Sequence, residues 1–149
     1  MEREGVLVGF NDEVLGLAWC GEVGRELAVV TNSPAARIHS ADTWSTRLLL
    51  GHEATVLGVA SSPDGQWVAT VSKDATARIW SVRSGNCVGI CRGHTDATAA
   101  VSWPSRPHAF ASCKSTPKLS QDAKGKPADG QWIVTAGRDH TLKRWNVFP

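Results

Sequence analysis

Two segments carry one pattern: "DGQWVATVSKDATARIW" at residues 64–80 and "DGQWIVTAGRDHTLKRW" at residues 129–145. Each is mostly short, branched and alternating, as strands are, and each is interrupted by turn-forming residues. Each also keeps a carboxylate, Asp74 or Asp139, six residues before a tryptophan, Trp80 or Trp145. A carboxylate in a half-buried strand pair is tolerable only when its oxygens find donors, so the residues that recur with it are the place to look for them.

Working outward, "GHEATVLGVAS" from Gly51 matches "GHTDATAAVSW" from Gly93, a period of 42 residues. A weaker copy lies upstream. "VLVGFNDEVLGLAW" at 6–19 matches "LLLGHEATVLGVAS" at 48–61, and "TNSPAARIHS" at 31–40 matches "SKDATARIWS" at 72–81. A fixed period of this length marks a repeat architecture, in which each unit is one supersecondary element. Within the units, runs with strand propensity such as 14–19, 26–31, 35–39 and 46–50 alternate with turn residues, and no segment shows helical periodicity. Ser62-Pro63-Asp64-Gly65 reads as a turn, because Pro63 presets its own φ and Gly65 accepts a positive one. The unit is therefore a four-stranded antiparallel meander, and the class is all-β.

Composition narrows function only by exclusion. With 42% hydrophobic and 20% charged residues the chain reads as a soluble globular domain, and a net charge of +2 is too small to argue for nucleic-acid or membrane binding by the whole surface. No apolar run approaches the length of a membrane span. Cys20, Cys87, Cys91 and Cys113 form no paired zinc-type spacing, and the amino terminus does not resemble a signal peptide, which together suggest a reducing compartment. Cys87 and Cys91, spaced C-x3-C, are expected on one face of a strand, as buried free thiols rather than as metal ligands.

The period, the Gly-His near the start of the unit and the Trp near its end resemble the WD-repeat family, whose units form the blades of a β-propeller. On that resemblance the chain is a partial propeller of about three four-stranded blades: a degenerate repeat at about 9–50, a second at 51–92, and a third at 93–149 with a flexible insertion at about 104–128. The family pattern falls on His52, Thr70, Asp74 and Trp80 in the second repeat and on His94, Thr135, Asp139 and Trp145 in the third. The first repeat departs from it, with Phe10 at the histidine, Ser33 at the aspartate and His39 at the tryptophan. The resemblance implies that the aspartate sits in the turn between the second and third strands and accepts from that turn and from the histidine. The histidine in turn reaches the threonine hydroxyl, which meets the indole N–H. His52, Thr70 and Asp74 are also residue types that can activate a hydroxyl. The trio recurs with the same tryptophan in the next repeat, however, and an enzyme has no need of a site copied once per blade. Structural fasteners are the expectation, with no catalytic, cofactor or metal residues.

Other residues carry less. Trp67 and Trp132 follow the Asp-Gly turn and are expected to pack between blades, Trp44 to lie exposed near a loop, and His108 and His140 to be surface residues. The third repeat carries 25 residues between Trp103 and Asp129 where the second carries two between Ser61 and Asp64. This insertion is rich in Pro, Ser and Lys. It reads as a solvated loop whose Lys114, Lys118, Lys124 and Lys126 are available for weak or indirect RNA contact. Propellers close with four blades or more, so a chain with two whole blades, most of a third and a leading strand around Val6 to Val8 reads as a piece of a longer propeller protein or an incomplete gene product.

Finer features point to one branch of the family. The Phe10-Asn11-Asp12-Glu13 start, Ser33-Pro34 in place of the aspartate turn and His39 in place of tryptophan resemble WD-repeat proteins that are tandem-propeller components of the small-subunit processome. That resemblance implies a non-catalytic nucleolar scaffold for ribosome biogenesis, one that holds other proteins of a large ribonucleoprotein assembly around the 18S rRNA precursor and its small nucleolar ribonucleoprotein. The alternative is a generic WD-repeat adaptor, a signalling scaffold or a ubiquitin-ligase substrate receptor. In either case Asn32, Lys73 and Arg138, the polar residues just before each aspartate position, are the expected partner contacts. Neither reading involves a membrane or a small-molecule substrate.

Overall fold

The computed structural model describes residues 12–104 and 131–147. The leading strand expected near Val6 to Val8, Phe10, His108, Cys113, the four insertion lysines and nearly all of the 104–128 insertion lie outside the described residues. Three antiparallel sheets account for what is described. The first contains β1 (Val14–Cys20), β2 (Glu26–Thr31), β3 (Ala36–Ser40) and β4 (Thr46–Leu49). The second contains β5 (Val56–Ser61), β6 (Trp67–Ser72), β7 (Thr76–Ser81) and β8 (Cys87–Arg92), and the third β9 (Thr98–Ser102), β10 (Trp132–Gly137) and β11 (Leu142–Asn146). In each sheet, strands that are consecutive in sequence are neighbours, so each is a meander; among the described residues the third has three strands. A single 3-10 turn, Glu22–Gly24, joins β1 to β2.

The sheets stack through their first strands, with β1 against β5 and β5 against β9. Because side chains alternate along a strand, the middle sheet presents a different set to each neighbour. Val56, Val68, Trp80 and Val82 meet Cys20, Ala28, Val30, Ala36, Ile38 and Leu49 of the first sheet. Ala69, Val71, Ala77 and Ile79 meet Trp103 and Ile133 of the third, with Trp67, Val101 and Trp145 at the margin. β6 is buried on both faces, which explains a sequence, WVATVS, without a charged residue. Ile38 and Ile79 occupy the same register in successive sheets and are each about 1% exposed; burying such a side chain contributes about 1.5–3 kcal/mol.

The turns interlock as well. On one face the β5–β6 turn receives the first sheet, with the Gly21 N–H donating to Gly65 O at 2.8 Å. Asp64 reaches the third sheet, accepting from Gln131 Nε2 at 2.9 Å. On the other face the Val56 N–H donates to Ser33 O at 2.9 Å, tying the β2–β3 turn to β5.

Candidate functional site

The Gly51-His52 loop carries the chain from β4 of the first sheet to β5 of the second, and His52 is buried there beneath the β6–β7 turn. Its Nδ1 lies 2.8 Å from Asp74 Oδ2 and its Nε2 lies 2.8 Å from Thr70 Oγ1. Trp80 Nε1–H donates to the same hydroxyl at 2.8 Å. One assignment satisfies every atom. The indole N–H gives to Thr70, Thr70 O–H gives to Nε2, and Nδ1–H gives to the carboxylate, so the imidazole is neutral with its proton on Nδ1. Burial lowers the pKa of His52, with Arg78 adding to this, and these outweigh the opposing pull of Asp74.

Asp74 collects more donors than the histidine alone. Thr76 gives its N–H at 2.9 Å and its hydroxyl at 2.6 Å to Oδ1, and the Glu53 N–H gives to Oδ2 at 3.1 Å. Burial pushes this carboxyl upward, but the hydrogen bonds from Thr76, His52 and the two backbone N–H groups outweigh it and hold the pKa at about 2. Between Asp74 and Thr76 the chain must reverse, and Ala75 does so in the left-handed region at φ 63°.

The third sheet repeats the arrangement. His94 Nδ1 lies 2.8 Å from Asp139 Oδ2 and Nε2 lies 2.8 Å from Thr135 Oγ1, which accepts from Trp145 Nε1 at 2.8 Å. Thr141 gives its N–H at 3.1 Å and its hydroxyl at 2.8 Å to Asp139, and the Thr95 N–H gives at 3.1 Å. Burial again works upward on Asp139 and the same kinds of donor carry it well below the ordinary carboxylate range. Thr76 and Thr141 went unremarked in the sequence, although the Asp-x-Thr spacing at 74–76 and 139–141 marks both.

The first sheet has no such chain. Val29 stands at the threonine register, Ser33 closes its turn by accepting from the Ala35 N–H at 3.2 Å, and His39 pairs through Nδ1 with Thr46 Oγ1 at 2.9 Å. Burial, assisted by Arg37, lowers the pKa of His39.

Asp74, His52 and Thr70 do have the connectivity of a nucleophilic triad. Thr70 is 0% exposed, however, and its hydroxyl oxygen already faces the Trp80 indole N–H, so no substrate carbonyl can reach it. What the arrangement does is fasten a loop, a turn and two strands together.

Asn32, Lys73 and Arg138 are exposed on the face that carries the Gly-His loops. Their backbone N–H groups donate to the carbonyls of Glu13, Thr55 and Ala97 at 2.9, 2.9 and 2.8 Å, three positions spaced by the sequence period. The side chains are thus offered from one repeated, backbone-anchored site per sheet; Thr55 Oγ1 also lies 3.3 Å from Asn32 Oδ1. On the opposite face a cleft of about 820 Å³ lies between the first two sheets, and four of the charged residues that line it are paired. Arg25 lies 3.5 Å from Asp42 and Arg47 lies 3.7 Å from Glu26, while Arg47 also donates to Val82 O.

The remaining aromatic residues and thiols divide. Trp67 packs against the core between the second and third sheets, whereas Trp132 lies on the far side of the third sheet with the Arg144 guanidinium 4.7 Å from its ring centre. Trp44 and His140 are exposed. The expectation of two buried thiols on one face of β8 is corrected. A bulge opposite Ile79 and Trp80 breaks the alternation, leaving Cys87 exposed and only Cys91 packed against the third sheet. Burial pushes the Cys91 thiol up to about 11.

The family model for the WD domain, G-beta repeat, matches residues 43–81 and 126–146. The chain carries WD repeats. The first matched segment runs from β4 through β7, so this WD repeat takes its outermost strand from one blade and the other three from the next. The chain is similar to U3 small nucleolar RNA-associated protein 13 of Saccharomyces cerevisiae, 27% identical over 95% of this chain and 17% of that protein. It is similar to transducin beta-like protein 3 of Homo sapiens, 27% identical over 92% of this chain and 15% of that protein. It is also similar to nuclear distribution protein PAC1-2 of Uncinocarpus reesii, 31% identical over 68% of this chain and 19% of that protein. The chain thus spans less than a fifth of the length of each of these relatives.

Proposed function

We propose that these WD repeats belong to a non-catalytic scaffold of ribosome biogenesis, which acts in the nucleolus within the small-subunit processome and the small nucleolar ribonucleoprotein that processes the 18S rRNA precursor. The observation that carries this reading is the extent of the likeness to U3 small nucleolar RNA-associated protein 13, which runs over 95% of the chain and so takes in the degenerate first blade. The blades supply rigidity, and function falls to their surfaces. On the Gly-His face Asn32, Lys73 and Arg138 are the residues we assign to protein partners of the assembly, and the insertion lysines Lys114, Lys118, Lys124 and Lys126 to any RNA contact.

The test is to tag the full-length protein, follow it in cells and sediment the lysate. Concentration in nucleoli, cosedimentation with large pre-ribosomal particles and recovery of U3 RNA are expected. A diffuse cytoplasmic signal with cullin partners would instead favour the adaptor reading, which is supported by the likeness to nuclear distribution protein PAC1 of Arthroderma benhamiae, 28% identical over 89% of this chain.

A further inference from the structure

In the second and third blades the turn between the second and third strands is built around an anion. Asp74 accepts from the Thr76 N–H at 2.9 Å and Asp139 from the Thr141 N–H at 3.1 Å. A basic residue stands four positions after each aspartate, as Arg78 or Lys143, and Lys143 Nζ lies 3.9 Å from Asp139 Oδ2. The first blade keeps both kinds of partner and lacks the carboxylate. Ser33 occupies the aspartate position, and its Oγ accepts at 3.2 Å from the Ala35 N–H, the same donor two residues on. Arg37 stands four positions after Ser33. Its Nη1 donates to Thr31 Oγ1 at 3.4 Å, which puts the guanidinium beside the start of the turn.

Pro34 follows Ser33, and a proline in that place is what proline-directed protein kinases require after their target hydroxyl. Asn32 and Pro34 are exposed and Ser33 between them is half-buried. The backbone of Ser33 is held by two bonds, its N–H donating to Thr31 O at 2.6 Å and its carbonyl accepting from the Val56 N–H at 2.9 Å. A kinase therefore reaches the hydroxyl by opening one surface turn and not the sheet beneath it. The chain carries the same dipeptide at Ser62-Pro63, in a different setting. Ser62 is 4% exposed, and its Oγ donates to Asp64 Oδ1 and accepts from the Trp67 N–H at 3.0 Å. A phosphate on Ser62 would displace both partners and face the Asp64 carboxylate, whereas one on Ser33 would face an N–H and a guanidinium.

We propose that Ser33 is a phosphorylation site for a proline-directed kinase, and that its phosphate takes the place that Asp74 and Asp139 hold in the other two blades. Ser33 Oγ attacks the γ-phosphorus of ATP, the bond from that phosphorus to the β–γ bridging oxygen breaks, ADP leaves, and the hydroxyl proton passes to the carboxylate base of the kinase. The product carries about −1.5 to −2 charges at pH 7 and three acceptor oxygens. The Ala35 N–H and the Arg37 guanidinium supply the donors, and bonds from such donors to phosphate are charge-assisted. The modification tightens the turn of the first blade and sets a negative charge beside Asn32, on the face that carries the Gly-His loops.

The test is to treat the purified full-length protein with ATP and, in separate reactions, a cyclin-dependent kinase and a mitogen-activated protein kinase. Phosphate is mapped by peptide mass spectrometry, and amide hydrogen exchange is followed in the peptides that contain Ala35 and Val56. Thr116→Ala removes Thr116-Pro117 as a competing target. Phosphate on Ser33 and none on Ser62 is expected, with exchange at Ala35 and Val56 slowed about tenfold, the effect of one hydrogen bond to a charged group. Pro34→Ala keeps the hydroxyl and should abolish the modification. Arg37→Gln should be phosphorylated as before and lose most of the slowing, while Arg37→Lys, which keeps the charge, should retain it. Three results overturn the proposal: Ser33 left unmodified by both kinases, phosphate on Ser33 and Ser62 alike, and phosphate on Ser33 that leaves exchange unchanged or slows it equally in Arg37→Gln.

Discussion

His52 Nδ1 meets the Asp74 carboxylate at 2.8 Å, and in the next blade His94 meets Asp139 at the same distance. In the second blade the two partners titrate in separate windows. An unfolded imidazole takes a proton near its usual value of about 6.5, whereas folded His52 resists it, so below that value the unfolded state binds more protons and stability falls with pH. His39 contributes in the same direction. Asp74 acts lower. Its unfolded carboxyl protonates near 3.8 and its folded one near 2, so its contribution is intact above 3.8 and is lost as the pH falls from 3.8 to about 2. Urea midpoints measured from pH 8 to pH 2 should decline in two stages, the first beginning below about 6.5. A midpoint that holds steady from pH 7 to pH 5 would contradict the buried neutral imidazole.

Thr70→Val keeps the shape of the side chain and removes its oxygen. His52 Nε2 and Trp80 Nε1–H both lose their partner in a site without exposure to water. The expected cost is about 1–3 kcal/mol by equilibrium urea unfolding, because two buried polar groups are stranded. Gain of stability in this variant would mean that the hydrogen-bond chain is not what selects these residues.

How much of this was legible in the sequence follows from what the period records. His52, Thr70, Asp74 and Trp80 recur as a set with His94, Thr135, Asp139 and Trp145, so their convergence in space could be read from their copying. Contacts made between unlike positions leave no such trace. The bond from Gln131 to Asp64 joins two copies of one motif across a seam, and a search for similarity within each unit passes over it. The bulge that turns Cys87 outward depends on strand registry opposite Ile79 and Trp80, which no residue of β8 announces. Trp132 and Trp67 are identical in sequence context. They differ in surroundings because only one of them has a further blade beside it among the described residues.

Gly65 and Gly24 separate two costs that are usually entangled. Both adopt positive φ, 71° and 68°. A Cβ on Gly24 meets nothing within 4 Å, so Gly24→Ala should cost only the left-handed conformation of an L residue, about 1–2 kcal/mol. A Cβ on Gly65 would stand 2.3 Å from Gly21 O. Gly65→Ala must therefore also part the Gly21–Gly65 hydrogen bond that holds the first two blades together. Thermal unfolding should show it as clearly the worse of the two, and equal losses would mean that the turn contact contributes nothing.

Ala75 and His140 occupy the same step of the same turn, at φ 63° and 61°, and neither is glycine. Each holds a left-handed conformation because the residue before it, Asp74 or Asp139, must present its carboxylate to the histidine and to the Asp-x-Thr hydroxyl at once. The strain of an L residue there is about 1–2 kcal/mol. Glycine would relieve it but would widen the unfolded ensemble, returning about 0.4–1 kcal/mol of the gain. Ala75→Gly is therefore expected to raise stability by up to about 1 kcal/mol, and His140→Gly should do the same, since that side chain is exposed. The two sites lie in different blades and share no partner, so their effects should add in the double variant. Should both substitutions lower the urea midpoint, the turn would have to be held by contacts of the side chains themselves, and the aspartates would not be what fixes its conformation.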